Sequence, residues 1–571
     1  MKKNLILVAA IAFNLSLFGQ IDKSILDNSN SFTSQEKTLL QTNTDLVIAG
    51  EYVYYKLFTI NNNSLSTISK IGYVELVNAD KEVVLSHKIK LINGVGYSDF
   101  FIPSKVITGV YKLIGYTNFS KNNPNESYVV KDLFVVNPFT ANTQKVKNNL
   151  EPAAQITKKE RFVTTNVSHP LLSISTQKKK YSQRELITIN VDINDKIKNG
   201  NYSVSIRKLD SISTKNSNLK NYISENNSEL FFIPEMRGEL LMGKISNSTN
   251  TMDISDKHIA LSIPGENATF KVAQTNSKGQ FFFNLDENYN EQNAVFQVME
   301  DNYADFKVQL DSLGNNNYAA LQFTNLDIDS NLKTTIEDRN IQNQIENAYY
   351  EKKQDSVITS SNKELFYEGS ATIHQLDDYT RFKTVRETFI EVINQAGLRN
   401  GKDGEYNFVV YDNVINYDLI SSDLQPLVLV DGLLIKNNRD LVFYNPKKIK
   451  TIAVVQGQYI YGSKLFQGII DVKTFSQDFK TSVKSEFLNK TLLKKPEANK
   501  IYFQPNYSNL EEVNNRIPDY RRQLLWVPEL IDNVTNYKAY TSDIKGVFEV
   551  KVEGINHLGT IISSSTFIEV N

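Results

Sequence analysis

A chain of 571 residues is too long for one ordinary domain and predicts about three to five of them. With 63 Lys and Arg against 64 Asp and Glu, the formal net charge of −1 offers no basic field for a nucleic acid, so nucleic-acid binding is excluded from the expected functions. The absence of cysteine excludes disulfides, a thiol nucleophile, a thioester and a cysteine lipid anchor, and leaves stability to packing.

Residues 1–20, MKKNLILVAAIAFNLSLFGQ, have the order of a secretory signal peptide: Lys2 and Lys3, an apolar run from Leu5 to Phe18, then the small Gly19. The run is short for a bilayer span, and no later segment is apolar and long enough to cross as a helix. The expectation is an exported chain with no transmembrane segment of its own after cleavage.

From 45 to 137 the text is strand-like, with a turn at Asn78-Ala79-Asp80-Lys81 and apolar residues at about every second position in GVYKLIGYTNF (109–119). This predicts a first β-sandwich of about seven strands. Residues 138–166 are polar and charged, as in a linker. A second sandwich is expected over 167–229, where Leu186, Thr188 and Asn190 alternate with Ile187, Ile189, Val191 and Ile193. A third is expected over 230–312, with TNSKGQFFF as a turn entering an aromatic strand. Residues 313–370 have the composition of a helical connector.

Residues 371–476 carry mixed periodicity and predict an α+β domain. KTVRETFIEVINQAG (383–397) places Val385, Phe389, Val392 and Ile393 on one helical face, with Gly397 where a C-cap would stand. Strand-like runs follow at 406–412, 425–435, 449–456 and 467–475. In QPLVLVDGLLI, Asp431-Gly432 suits a type I′ turn with positive φ. The tail, 477–571, returns to strands, includes the sole tryptophan in PDYRRQLLWVPEL, and predicts a separate C-terminal Ig-like sandwich. The expected fold class is therefore mostly β: a string of sandwiches plus one α+β domain.

Three resemblances follow from these segments. PLVLVDGLLI (426–435), NPKKIKTIAVV (445–455) and YGSKLFQGIIDVKT (461–474) resemble the plug domain of TonB-dependent outer-membrane receptors, particularly those of Bacteroidetes. The matching positions are Pro426, Asp431, Gly432, Tyr461, Gly462 and Gly468. Residues 477–571 are too few for the barrel that follows such a plug, so transport through a pore of the chain's own is not expected. GVYKLIGYTNF and KKKYSQRELITINVDI (178–193) resemble macroglobulin-like domains, and FIPEMRGELLMGKI with TNSKGQFFF is similar to carboxypeptidase-regulatory-like sandwiches. Together the resemblances imply an exported protein of the periplasm or cell surface, associated with the outer membrane. Its plug-like domain, through those six residues, would dock on or occlude a β-barrel complex of transport, secretion or assembly.

No chemistry-bearing constellation competes with that reading. The five histidines stand in separate segments without metal-ligand spacing, and no G-x-S-x-G, phosphate loop or dinucleotide fingerprint occurs. His374, Asp377 and Asp378 are expected to serve the following helix, with Asp or Thr380 as its N-cap. Asp210-Ser211-Ile212 is similar to a Bacteroidetes O-glycosylation sequon. No catalytic residue, metal or cofactor is expected. The alternative function is a surface glycan-binding or adhesion protein, supported by sandwiches rich in tyrosine.

Overall fold

The computed structural model describes residues 35–571 except 147–152, 160–165, 216–221, 224–230, 248–251, 286–288, 290–291, 312–315, 359–364, 368, 402–404, 412–423 and 531–533. The expected signal peptide lies outside the described residues, as does part of the expected linker. Strands dominate, and no helix among the described residues is long and apolar enough to cross a membrane. The chain divides into two compact units. One comprises Ser29–Met236, Asn316–Thr359 and Pro496–Asn571; the other contains Arg237–Asn315 and Ser360–Lys495. The second is thus interleaved in sequence with the first, and they are called here the inserted and the framing unit.

The framing unit begins with a two-sheet sandwich. Lys37–Thr42, Tyr52–Asn61 and Val95–Phe101 form one sheet; Val83–Lys90, Ile71–Val77, Gly109–Tyr116 and Tyr128–Val136 form the other. Val53, Tyr55, Leu57, Val74, Leu76, Leu113 and Leu133 fill the space between them. The turn after Ile71–Val77 closes as the sequence suggests, with Lys81 at φ 65° and its N–H donating to Asn78 O at 2.9 Å.

The second sandwich differs from the sequence expectation. Leu172–Thr176 and Leu186–Ile193 share a sheet with Asn536–Tyr540. Asn201–Lys208 lies between Gln523–Val527 and Gly546–Ile555, with Val204 opposite both Val527 and Val552. Strands of the segment read as a second sandwich (167–229) and of the segment read as a C-terminal sandwich (477–571) therefore build one domain, while residues 477–495 belong to the inserted unit. Ile187, Ile189, Val204, Ile206, Phe548, Val550 and Val552 are its fully buried centre. The physical reason is that period-2 alternation fixes which face of a strand is buried but not which strand lies beside it; edges left unpaired by one half are closed by the other.

Most of the segment read as a helical connector (313–370), residues 316–359, also belongs to this unit, and 360–370 belong to the inserted one. It holds the helix Lys333–Ala348, and the strand Leu326–Ile328 pairs in parallel with Ala154–Lys158. Arg339, Asn343 and Asn347 bind that helix to Glu51 and to the carbonyls of Ala49 and Gly50.

The inserted unit contains one sandwich and one α+β domain. The sandwich pairs Glu239–Asn247 with Gln280–Leu285 and Phe306–Leu310 in one sheet. In the other, Thr269–Gln274, His258–Ile263 and Asn293–Val298 run side by side, with Asn489–Leu492 completing the edge. Aromatic side chains Phe281, Phe283 and Phe296 meet in its core. The α+β domain is a five-stranded sheet in the order Ala371–Gln375, Ile449–Tyr461, Lys464–Thr474, Leu427–Val430, Leu433–Leu434, with the helix Val385–Glu391 on it.

That helix is shorter than its apolar stripe suggests. It ends at Val392, and Ala396–Asn400 becomes a strand paired with Tyr406–Val410. Gly397 is not a C-cap: it faces Val409 in this ladder, and a Cβ there would lie 2.1 Å from the Tyr411 hydroxyl. The N-cap is Thr384, not Thr380 or an aspartate. Thr384 and Glu387 form a reciprocal capping box, which satisfies two amide donors of the first turn.

Candidate functional site

The Asp431-Gly432 turn is built from the backbone outward. Its residues take φ of 51° and 82°, the left-handed pair that a two-residue hairpin requires. Asp431 is only 3% exposed, yet its carboxylate is well bound: it accepts from Thr474 N–H and Thr474 Oγ1, both at 2.7 Å. Its own N–H donates to Val472 O at 2.8 Å. The turn thereby locks the Leu427–Val430 hairpin to the end of Lys464–Thr474.

The same turn packs on the neighbouring sandwich of the inserted unit. A Cβ on Gly432 would stand 2.3 Å from the Ala268 side chain, so only glycine fits. Leu434 N–H donates to Ser262 Oγ at 3.2 Å, and Gln297 Nε2 donates to Leu434 O at 3.3 Å. Tyr461 OH donates to Phe270 O at 2.6 Å, and the two rings stack with centroids 5.8 Å apart. Gly462 turns the long hairpin at φ 59°, exposed but with Val272 O only 2.5 Å from the position of a Cβ. Gly468 sits beneath Val455 O and Val410, and Pro426 leads half-buried into its strand. Ala260, Phe270, Leu427, Leu429, Leu434 and Phe466 form the apolar contact between the two domains.

All six motif residues are thus used in closing the α+β domain or seating it on its sandwich. The domain's exposed apolar side chains are others. Ile390 on Val385–Glu391 is 66% exposed and Phe443, just beyond the neighbouring short helix Arg439–Val442, is 63% exposed. Ile373, on the edge strand Ala371–Gln375, is exposed as well.

The histidine–aspartate segment holds no acid–base pair. His374 shares a 2.9 Å hydrogen bond with Gln395, while Asp377 pairs with Arg381. Among the described residues no group of three or more metal-ligating side chains converges. Asp471 is a buried carboxyl outside any expected site. Burial raises its pKa to about 6, against the opposing hydrogen bond from Tyr367 OH and the charge of Lys473.

A polar cavity of the framing unit escaped sequence reading. Its volume is about 170 Å³, and Tyr52, Tyr54, Tyr502 and Trp526 line it together with Arg207, Arg339, Arg521 and Arg522. Tyr54 stands edge-on to Tyr502 at 5.0 Å and 5.8 Å from Trp526. Arg339 donates to Glu51 from Nε at 2.7 Å and from Nη2 at 2.6 Å, and to Asp210 from Nη1 at 2.9 Å. Arg522 takes the other Asp210 oxygen, and Arg521 forks onto Asp519 with two bonds of 2.8 Å. Burial pushes the Glu51 carboxyl up, but the charge and hydrogen bonds of Arg339 outweigh it and leave the pKa below its ordinary value. The one sequence signal was PDYRRQLLW, where Asp519, Arg521, Arg522 and Trp526 fall together; Asp210 is the carboxylate shared by two arginines.

No family model matches the chain, and no curated protein does either. Among solved structures it is similar to Escherichia coli alpha-2-macroglobulin activated by porcine elastase, at 8% identity and a TM-score of 0.23, over 94% of this chain and 44% of that one. Salmonella alpha-2-macroglobulin reacted with methylamine gives 8% identity and a TM-score of 0.22, over 94% and 39%. A tetra-tandem repeat from the extending region of a large adhesion protein gives 5% and 0.13, over 94% and 99%. The chain spans less than half the length of the macroglobulin structures it matches. Scores of this size describe successions of β-sandwiches and carry no argument about activity.

Proposed function

We propose that the chain is an exported, non-enzymatic accessory protein of the outer membrane that docks on a β-barrel complex through its plug-like α+β domain. Export is supported by the signal-like residues 1–20, and the plug reading by the Asp431-Gly432 hairpin followed by the Tyr461-Gly462 turn and by Gly468, a positive-φ residue within the strand Lys464–Thr474. The observation that carries the proposal is the pair Ile390 and Phe443, exposed side chains at neighbouring helices of a domain whose motif residues Gly432, Tyr461 and Gly462 already contact its own sandwich. Large apolar side chains left in water on an otherwise well-packed domain suit a partner surface. Docking therefore runs through this outer face, and the motif acts by holding that face rigid.

The test uses the full chain. Tagged protein expressed natively is purified from gently solubilised outer membranes, beside the double variant Ile390→Asp with Phe443→Asp. A barrel protein recovered with the unaltered chain and lost with the variant supports docking. Recovery of no barrel protein with the unaltered chain defeats the reading.

A further inference from the structure

One cation of the framing unit's cavity, Arg207, lacks an ion-pair partner among the described residues. Arg339 is neutralised by Glu51, Arg521 by Asp519, and Arg522 shares Asp210 with Arg339. Lys353, also on the wall, pairs with Glu346 at 2.8 Å. Arg207 has no carboxylate within ion-pair distance among the described residues. Its one hydrogen bond goes from Nη1 to Asn43 O at 3.3 Å. Glu549 stands opposite it across the sheet, and with Glu51 and Asp45 attracts it only from longer range. Burial and the neighbouring Arg339 bring its pKa down to about 10, and burial does the same for Arg522. A guanidinium taken out of water without a counter-ion is costly, and an anion in the cavity would relieve that cost.

Arg522 Nε and Trp526 Nε1 are buried without a hydrogen-bond partner, behind the cavity surface rather than on it. The remaining wall mixes aromatic faces, among them Tyr54, Tyr502 and Trp526, with the amide side chains of Asn43, Asn343, Asn347, Gln504 and Gln523. Asp355, also on the wall, accepts from Phe503 N–H at 2.8 Å; burial raises its pKa, against that hydrogen bond and the charge of Lys500. A guanidinium without an ion pair selects an anion; flat aromatic faces select a ring.

We propose that this cavity binds a small ring-bearing carboxylate, with the carboxylate on the Arg207 guanidinium and the ring against Tyr54 and Trp526. An acidic sugar and an aromatic acid share this chemistry. The proposal is independent of barrel docking, since every wall residue belongs to the framing unit.

Calorimetric titration of the full chain with glucuronate, benzoate, neutral glucose and inorganic sulfate tests it. Saturable binding of glucuronate or benzoate, tighter than that of glucose and sulfate, is expected. Glucuronate alone identifies an acidic-sugar site, and benzoate alone an aromatic-acid site. Arg207→Gln should weaken the bound carboxylate about ten- to a hundredfold, the range for a lost charge-assisted hydrogen bond. Tyr54→Leu removes one aromatic face and should weaken it about two- to tenfold; it serves as the decisive variant if Arg207→Gln does not fold. No binding of either carboxylate, glucose binding as tightly as glucuronate, or unaltered affinity in the folded variants overturns the proposal and leaves the cavity to water.

Discussion

The α+β domain and the split sandwich both bury a mostly β core, but they draw on the sequence differently. The α+β domain closes its sheet within 371–476, and its decisive turn is announced by two adjacent residues, Asp431 and Gly432. The split sandwich joins strands within 172–208 to strands within 523–570, and no single residue announces the pairing. Turn chemistry is a property of neighbours along the chain, whereas strand partnership is a property of neighbours in space. The two domains therefore should fail differently when cut, when hollowed and when strained.

The largest effect is expected from truncation after Lys495. Removing 496–571 takes away both strands that flank Asn201–Lys208, so amide protection should vanish across 172–208 while it persists across 449–474. Hydrogen exchange read segment by segment measures this. Retained protection across 172–208 would mean that the first half of the sandwich stands alone, and the comparison would break. Next, Phe548→Ala in the centre of the split sandwich should cost about 3–5 kcal/mol, as large-to-small changes in a closed core do. Chemical denaturation measures the loss.

Gly432→Ala tests the local device. The positive φ and the contact with Ala268 together should cost about 1–3 kcal/mol, seen as a lowered midpoint of the inserted unit. A midpoint unchanged by this substitution would show that the hairpin does not seat the domain on its sandwich. The smallest effect concerns Asp471. Its folded pKa of about 6 lies above the ordinary 3.8, so the folded state holds an extra proton between those values. The associated stability is fully present below pH 3.8 and is lost as pH rises through about 6. Asp471→Asn keeps an acceptor for Tyr367, so it should flatten that slope and gain on the order of 1–3 kcal/mol at pH 7. Unfolding midpoints recorded from pH 4 to pH 8 on both forms decide it.

Much of the local architecture was legible. Buried Ile187, Ile189 and Val191 alternate with outward Leu186 and Asn190 as their period requires, and the turns at Lys81 and Asp431 carry the residues that positive φ favours. The helix boundary was misjudged because Val392, Ile393 and Gly397 continue a helical stripe on paper. In the fold, Gly397 is consumed by the ladder with Val409. The domain count was misjudged because an interrupted sandwich has the same period as two complete ones. The arginine cavity was illegible for the same reason at a finer scale. Its guanidiniums come from Asn201–Lys208, Lys333–Ala348 and residues 521–522, and only their convergence makes a site.

The interleaving of the two units also has a consequence in time. Residues 172–208 leave the ribosome some 300 residues ahead of the strands that flank them, a delay of roughly 15–60 s at about 5–20 residues per second. Throughout that interval Asn201–Lys208 has both edges open. The nascent chain carries a half-built sheet, with Val204 and Ile206 uncovered, while the whole inserted unit is being made. Such a segment needs a holding chaperone or an unfolded passage more than it needs intrinsic speed, and growth temperature should govern yield through this wait rather than through the stability of the finished fold.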